Sequence, residues 1–193
     1  MKLFQQIGRS KWYWLSMIAL AAALEAAALY YQYVLNQYPC VLCIHVRIWV
    51  LGFIVVGALG LALQRWRAGI VAANVLGLIA AIGLAERSWQ LLATERGWSN
   101  ELACSMESGL PFWFALDKWF PAVFAVQTSC GYTPVIVGDI TMAEALMGIS
   151  AAAIVTFALV SVAAFRLGAP AEAQGAPRDA GSGRRLNDRR VST

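Results

Sequence analysis

Apolar residues in this chain gather into four long runs, 12–34, 40–63, 69–86 and 144–165, separated by polar joints. At about 1.5 Å of rise per residue, each run is long enough as a helix to cross roughly 30 Å of hydrocarbon. The first joint, 35–38, is very short and carries no Lys or Arg, whereas the second is the basic stretch Gln64-Arg65-Trp66-Arg67. The third joint, 87–143, is long enough to suggest a functional loop. Within it, residues 112–126 are aromatic and amphipathic, with Pro111 and Pro121 as breakers, a composition suited to the membrane surface. Residues 166–193 are rich in Gly, Pro, Ala and Arg and are expected to form a disordered basic tail, because they cannot bury a core. The pattern predicts an all-α membrane protein. Residues 1–165 would form a four-transmembrane-helix bundle whose long loop carries a short interfacial amphipathic helix.

Composition agrees with the pattern. Of 193 residues, 60% are hydrophobic and 13% charged, against about a quarter charged in soluble domains. The small residues of 69–86 suit close helix packing. The first run exceeds the apolar core of a signal peptide and further spans follow, so it reads as an uncleaved anchor. The net charge of +4 does not imply nucleic acid, because the basic residues sit beside the spans and form no stripe. Lys2, Arg9, Lys11, Arg65, Arg67 and the arginines of the tail lie on one side, against only Arg87, Arg96 and Lys118 on the other. The positive-inside rule then puts both termini in the cytoplasm and all four cysteines outside. In a bacterium the outer side is the oxidising periplasm.

The chemistry concentrates in Tyr38-Pro39-Cys40-Val41-Leu42-Cys43-Ile44-His45-Val46-Arg47. Pro39 suits the start of a helix. Cys40 and Cys43 would then fall in the first turn, where free N–H groups and the helix dipole favour a thiolate. Arg47 is four residues past Cys43, on the same face and about one turn deeper. A cation at that depth is costly and marks function. Counting inward from the outer ends of the first two spans puts Glu25 within about 3 Å of the depth of Arg47, which suggests a Glu25–Arg47 pair.

Other chemistries fit less well. Haem attachment requires Cys-x-x-Cys-His, and Ile44 stands at the histidine position. His45, the single histidine, reads as a packing or interfacial residue. A zinc site would need a second close cysteine pair, but Cys104 and Cys130 are far apart, so no metal is expected. Those two cysteines allow either a structural bridge or a second thiol pair poised for exchange.

The stretch Pro39-Cys40-Val41-Leu42-Cys43-Ile44 with Arg47, the four spans, and the loop with Leu116-Asp117-Lys118-Trp119, Pro121 and Val123-Phe124 ahead of Cys130 together resemble the disulfide bond formation protein B (DsbB) family. The resemblance covers roughly residues 10 to 165. One departure is that the family often has Tyr-Glu-Arg where this chain has His45-Val46-Arg47. The resemblance implies a quinone-linked thiol oxidase of the bacterial inner membrane. A periplasmic thioredoxin-fold carrier of the DsbA type would exchange with a Cys104–Cys130 disulfide. Electrons would pass to Cys40–Cys43 and then to ubiquinone or menaquinone, with Arg47 at the quinone. DsbA is a strong oxidant, at about −120 mV, so its reoxidation needs a strong electron sink. Two rival readings are a vitamin K epoxide reductase-like enzyme, whose Cys-x-x-Cys usually lies late in the chain, and a non-catalytic four-span scaffold, which would gain nothing from Arg47.

Overall fold

The computed structural model describes residues 10–98, 109–131 and 133–166. Four helices are long and apolar enough to cross a membrane: α1 (Lys11–Tyr33), α2 (Val41–Leu63), α3 (Arg67–Glu95) and α6 (Met142–Arg166). Between α3 and α6 lie a 3-10 turn (Phe112–Phe114), two short helices, α4 (Leu116–Trp119) and α5 (Pro121–Phe124), and a hairpin of β1 (Val135–Val137) and β2 (Ile140–Thr141).

Helix α1 packs on α2, α2 on α3, and α3 on α6. Small residues set the approach. A Cβ added at Gly60 of α2 would strike the indole of Trp14 on α1, and one at Gly77 of α3 would strike the ring of Phe157 on α6. Packing of small residues against rings replaces the hydrophobic drive that lipid cannot supply. Helices α1 and α6 do not pack as the sequential pairs do, so the bundle is left with a seam between them. Tyr13 and Phe157 bridge the inner end of the seam edge to face, at 6.3 Å between centroids. The outer surfaces of the helices expose Leu20, Val55, Ile79, Ile82, Val155 and Leu159, as a lipid-facing surface requires.

Three expected boundaries move, the first being the start of the third span, which lies at Arg67 and not at residue 69. The third span does not stop at residue 86; α3 continues to Glu95. The hydrogen bonds of Arg87 and Glu86 to Gln90 carry the helix through its polar stretch, and Ser88, Leu91 and Ala93 are buried. The fourth span begins at Met142, before residue 144, because Thr141 and Glu144 form a capping box. Thr141 Oγ1 accepts from the Glu144 N–H at 3.3 Å, and Glu144 accepts from the Thr141 N–H at 3.2 Å. The loop expected over 87–143 is accordingly shorter at both ends.

The loop also differs within. Residues 112–126 form no single amphipathic helix. Ala115 and Phe120 take ψ values of 67° and 65°, outside the helical region, and Pro121 offers no N–H to an upstream carbonyl. The segment still has two faces: Ala115 and Phe124 are buried, while Trp113, Trp119 and Phe120 are exposed. Farther on, Glu95 accepts from the hydroxyls of Thr133 and Thr141, and Arg96 pairs with Glu144. These contacts tie the end of α3 to the hairpin and to the start of α6. The basic lead before Ser10, the region around Cys104 and the tail beyond Arg166 lie outside the described residues.

Candidate functional site

The site begins with a sharp connection. Helix α1 ends at Tyr33, and the Gln37 N–H returns to the Tyr31 carbonyl at 2.9 Å. Asn36 takes φ 54°, the left-handed region that asparagine tolerates better than most residues. Pro39 follows, and Cys40 is the N-cap of α2, one residue before the helix and not inside its first turn as the sequence suggested. Its backbone is extended, and its Sγ accepts from the Cys43 N–H at 3.4 Å. An N-cap accepts from the orphan N–H groups of the helix, and here a sulfur does so.

Cys40 and Cys43 are free thiols with their sulfurs 2.9 Å apart. Cys40 is buried and Cys43 half-buried. The Cys43 thiol beside it brings Cys40 down to about 7, against the upward push of burial, and the N–H groups of Cys43 and Leu42 add to the lowering. Alkylation of Cys40 in the reduced protein is therefore expected to gain rate as pH rises through about 7, well below an ordinary thiol. Replacing Cys43 by Ala removes the largest cause, so the midpoint should move upward. Mass spectrometry of the Cys40 peptide after timed alkylation at a series of pH values reads both. A midpoint at the ordinary thiol value in the unmodified protein would contradict this account.

Arg47 is 6% exposed, and its donors turn toward α1 and the loop. One terminal nitrogen donates to Gln32 Oε1 at 2.7 Å and to the Val123 carbonyl at 2.8 Å, and the other to the Ala28 carbonyl at 3.2 Å. Its remaining N–H groups have no acceptor among the described residues. The side chain reaches outward to the loop, so the expected Glu25–Arg47 ion pair does not form: Arg96–Glu144 is the ion pair among the described residues, and Glu25 Oε1 is buried with no hydrogen-bond partner.

Gln32 is the residue that reading the sequence missed. It is buried, holds Arg47 with its oxygen, and donates its amide nitrogen to the Ala122 carbonyl at 3.1 Å. The signal was a glutamine inside an apolar run, one α1 turn from Ala28 and two from Glu25. Tyr33 also donates to the Ala122 carbonyl. A charge-assisted hydrogen bond contributes about 1.5–3 kcal/mol, so this cluster clamps α1, α2 and the loop segment 122–123 together.

The same clamp brings the loop over the cysteine pair. The Gln127 N–H donates to the Pro39 carbonyl at 3.0 Å, and Cys130 packs on the apolar cluster that includes Cys40 and Cys43. Cys130 is disulfide-bonded. Cys104, the fourth candidate, lies outside the described residues. Beneath the pair is a cavity of about 430 Å³ lined by Cys43, Arg47 and Glu25. Thr128, Ser129 and Asn36 line it as well, together with apolar Leu146 and Ile149 of α6. A second cavity, of about 420 Å³, shares Leu24, Val50 and Ile149 with it and continues inward to Tyr13 and Phe157. A ligand site typically has such a size, mostly apolar walls and a few convergent polar groups.

These features define a class: a four-span membrane protein with a Cys-x-x-Cys thiol pair at one end of its bundle and a disulfide-bearing loop folded over it. Comparison with known proteins makes it particular. The family model for disulfide bond formation protein DsbB matches residues 10–160. Disulfide bond formation protein B of Photorhabdus laumondii is 34% identical over 162 residues, which cover 82% of this chain and 92% of the relative. The protein of that name from Shewanella sp. strain W3-18-1 is 37% identical over 137 residues, covering 70% and 77%. The one from Yersinia pestis strain Pestoides F is 30% identical over 165 residues, covering 86% and 93%. The chain belongs to the DsbB family, and its role is in disulfide bond formation.

Proposed function

We propose that this chain is a quinone-dependent protein thiol oxidase of the bacterial inner membrane, with both termini cytoplasmic and the cysteines periplasmic. It reoxidises a DsbA-like thioredoxin-fold carrier. The observation that carries the reading is the free Cys40–Cys43 pair, packed in one cluster with disulfide-bonded Cys130 and opening through Cys43 onto a cavity that Arg47 lines.

In this reading Cys104 and Cys130 form the disulfide that the carrier attacks. A carrier thiolate bonds to Cys104 and releases Cys130, and the second carrier thiol then displaces Cys104 as the carrier's own disulfide closes. Cys130 attacks Cys40 of an oxidised Cys40–Cys43 pair, and Cys43 leaves as a thiolate at the cavity. Cys104 then closes on Cys130, which restores the loop disulfide and leaves the inner pair reduced. Each exchange moves one electron pair, and the released protons balance the thiols consumed. Bound in the cavity, a ubiquinone or menaquinone would supply the two-electron, two-proton acceptor that returns the inner pair to a disulfide.

The residues fit such a group. The cavity is apolar toward α6 and polar toward the loop, and the seam between α1 and α6 offers a lipid-soluble molecule a way in from the side. The N–H groups of Arg47 not used by Gln32, Val123 and Ala28 can hold an oxygen that gains negative charge. Helix packing leaves Cys43 on the cavity wall while Cys40 stays buried, so the thiol reaching the cavity is Cys43.

Arg47→Ala should raise the quinone concentration for half-maximal rate by roughly tenfold or more, since each 1.4 kcal/mol of lost binding is a factor of ten. Exchange between the carrier and the loop disulfide should persist. Measuring the rate against quinone concentration in purified protein, with copurifying lipid extracted and assayed for quinone, tests this. An unchanged quinone dependence, with no quinone in the extract, would remove the reading.

A further inference from the structure

Glu25 is the one acidic residue of α1, half-buried on the face turned toward α2 and the cavity. It shares this face with Ala28 and Gln32, about one and two turns away. Those two neighbours are spent on Arg47, through a backbone carbonyl and a side-chain amide. Glu25 is not: its Oε1 is buried without a hydrogen-bond partner, and no cation lies within ion-pair distance among the described residues. An ionised carboxylate left so is expensive in an apolar setting. As a neutral acid the group needs no counter-ion, and it has a proton to give.

We propose that Glu25 is the proton-relay residue of this site, holding a proton at its carboxyl group for the acceptor reduced beside Cys43. The inference rests on the proposed quinone chemistry and deepens it. Oxidising the Cys40–Cys43 dithiol to a disulfide releases two electrons and two protons, and a para-quinone takes up both to become the quinol. Glu25 donates one of these protons from its carboxyl and recovers one released by the thiols, so it ends each cycle unchanged. Arg47 cannot fill this role, because a guanidinium does not release its proton in proteins. Among the cavity-lining residues the other groups able to carry a proton are Cys43 on α2 and the phenols Tyr31 and Tyr38, and α6 contributes none. Of these only Glu25 is a carboxyl group. Leu24, Val50 and Ile149 at the inner end of the cavity keep its surroundings apolar.

The test uses the full chain in lipid nanodiscs, stripped of quinone and then supplied with a short-chain ubiquinone. Infrared spectra of the stripped protein should show a protonated carboxylic acid band that shifts when the quinone is added. That band should be missing in Glu25→Gln. This variant should bind the quinone within about threefold of the unmodified protein, while its quinone reduction falls roughly 100-fold, in the range of a lost general acid. Glu25→Asp, which keeps a carboxyl group, should retain the band and recover part of the rate, and it stands in if the Gln variant does not fold. A band unchanged in Glu25→Gln, or a normal rate in that variant, would overturn the proposal. Weaker binding with a normal rate per bound quinone would also overturn it and make Glu25 a binding group only. If the unmodified protein neither bound nor reduced quinone, the thiol-oxidase reading would fail. The infrared band would then still report whether Glu25 holds its proton.

Discussion

Replacing Cys43 by Ser is expected to reduce the proposed quinone turnover to background, with the variant oxidising only a single equivalent of carrier before it stops. A serine hydroxyl cannot enter a disulfide, so the inner pair has no oxidised form to hand to Cys130. The loop disulfide is untouched, which leaves one exchange with the carrier available. Cys40→Ser should cost as much, since either serine leaves the inner pair without a disulfide, but Cys43 is the member of the pair that lines the cavity. Quenched-flow sampling with acid trapping of thiols reads the carrier oxidised per protein, and quinol absorbance reads the second half-reaction. Sustained turnover in the variant would mean that electrons bypass the Cys-x-x-Cys pair.

The second large effect lies in the loop. With Cys130 replaced by Ser, Cys104 is left as a thiol unable to complete the relay, and a carrier disulfide meeting it forms an adduct. Mixed disulfides persist when the resolving thiol is missing. A covalent carrier–protein species should therefore accumulate with Cys130→Ser, survive a non-reducing gel and vanish on reduction. Cys104→Ser should give none, because family resemblance makes Cys104 the sulfur that bonds to the carrier. Equal trapping by both variants, or by neither, would return the loop pair to a structural bridge.

Much of this was legible in the sequence because membrane burial is written in run length. Four apolar runs became four helices, and α1 and α2 lie within one residue of their expected bounds. The Cys-x-x-Cys pair and Arg47 stood out because a cation inside such a run demands a reason. What stayed hidden depends on partners distant in the chain. Gln32 is one polar residue inside an apolar run, and its function follows only from its contacts with Arg47 and the Ala122 carbonyl. The direction of the Arg47 side chain could not follow from helical spacing, which fixes its Cβ but not which carbonyls its guanidinium finds. Two features were readable and went unread. Thr141-Met142-Ala143-Glu144 has the spacing of a capping box, and the Val-Ile-Val stretch followed by Gly138-Asp139 marks a hairpin, with Gly138 at φ 60°. The extra turns of α3 were masked by Glu86 and Arg87, whose helical pairing with Gln90 ignores the lipid boundary.

The central claim is that electrons from a protein dithiol leave through Cys43 to a quinone. Reduced carrier, purified protein and a short-chain ubiquinone, mixed under argon, test it in one measurement of quinol formed against carrier disulfide formed. The account predicts one quinol for each carrier disulfide, with none in Cys43→Ser. Carrier oxidation that proceeds without quinol, or that needs oxygen while quinone is present, would contradict it.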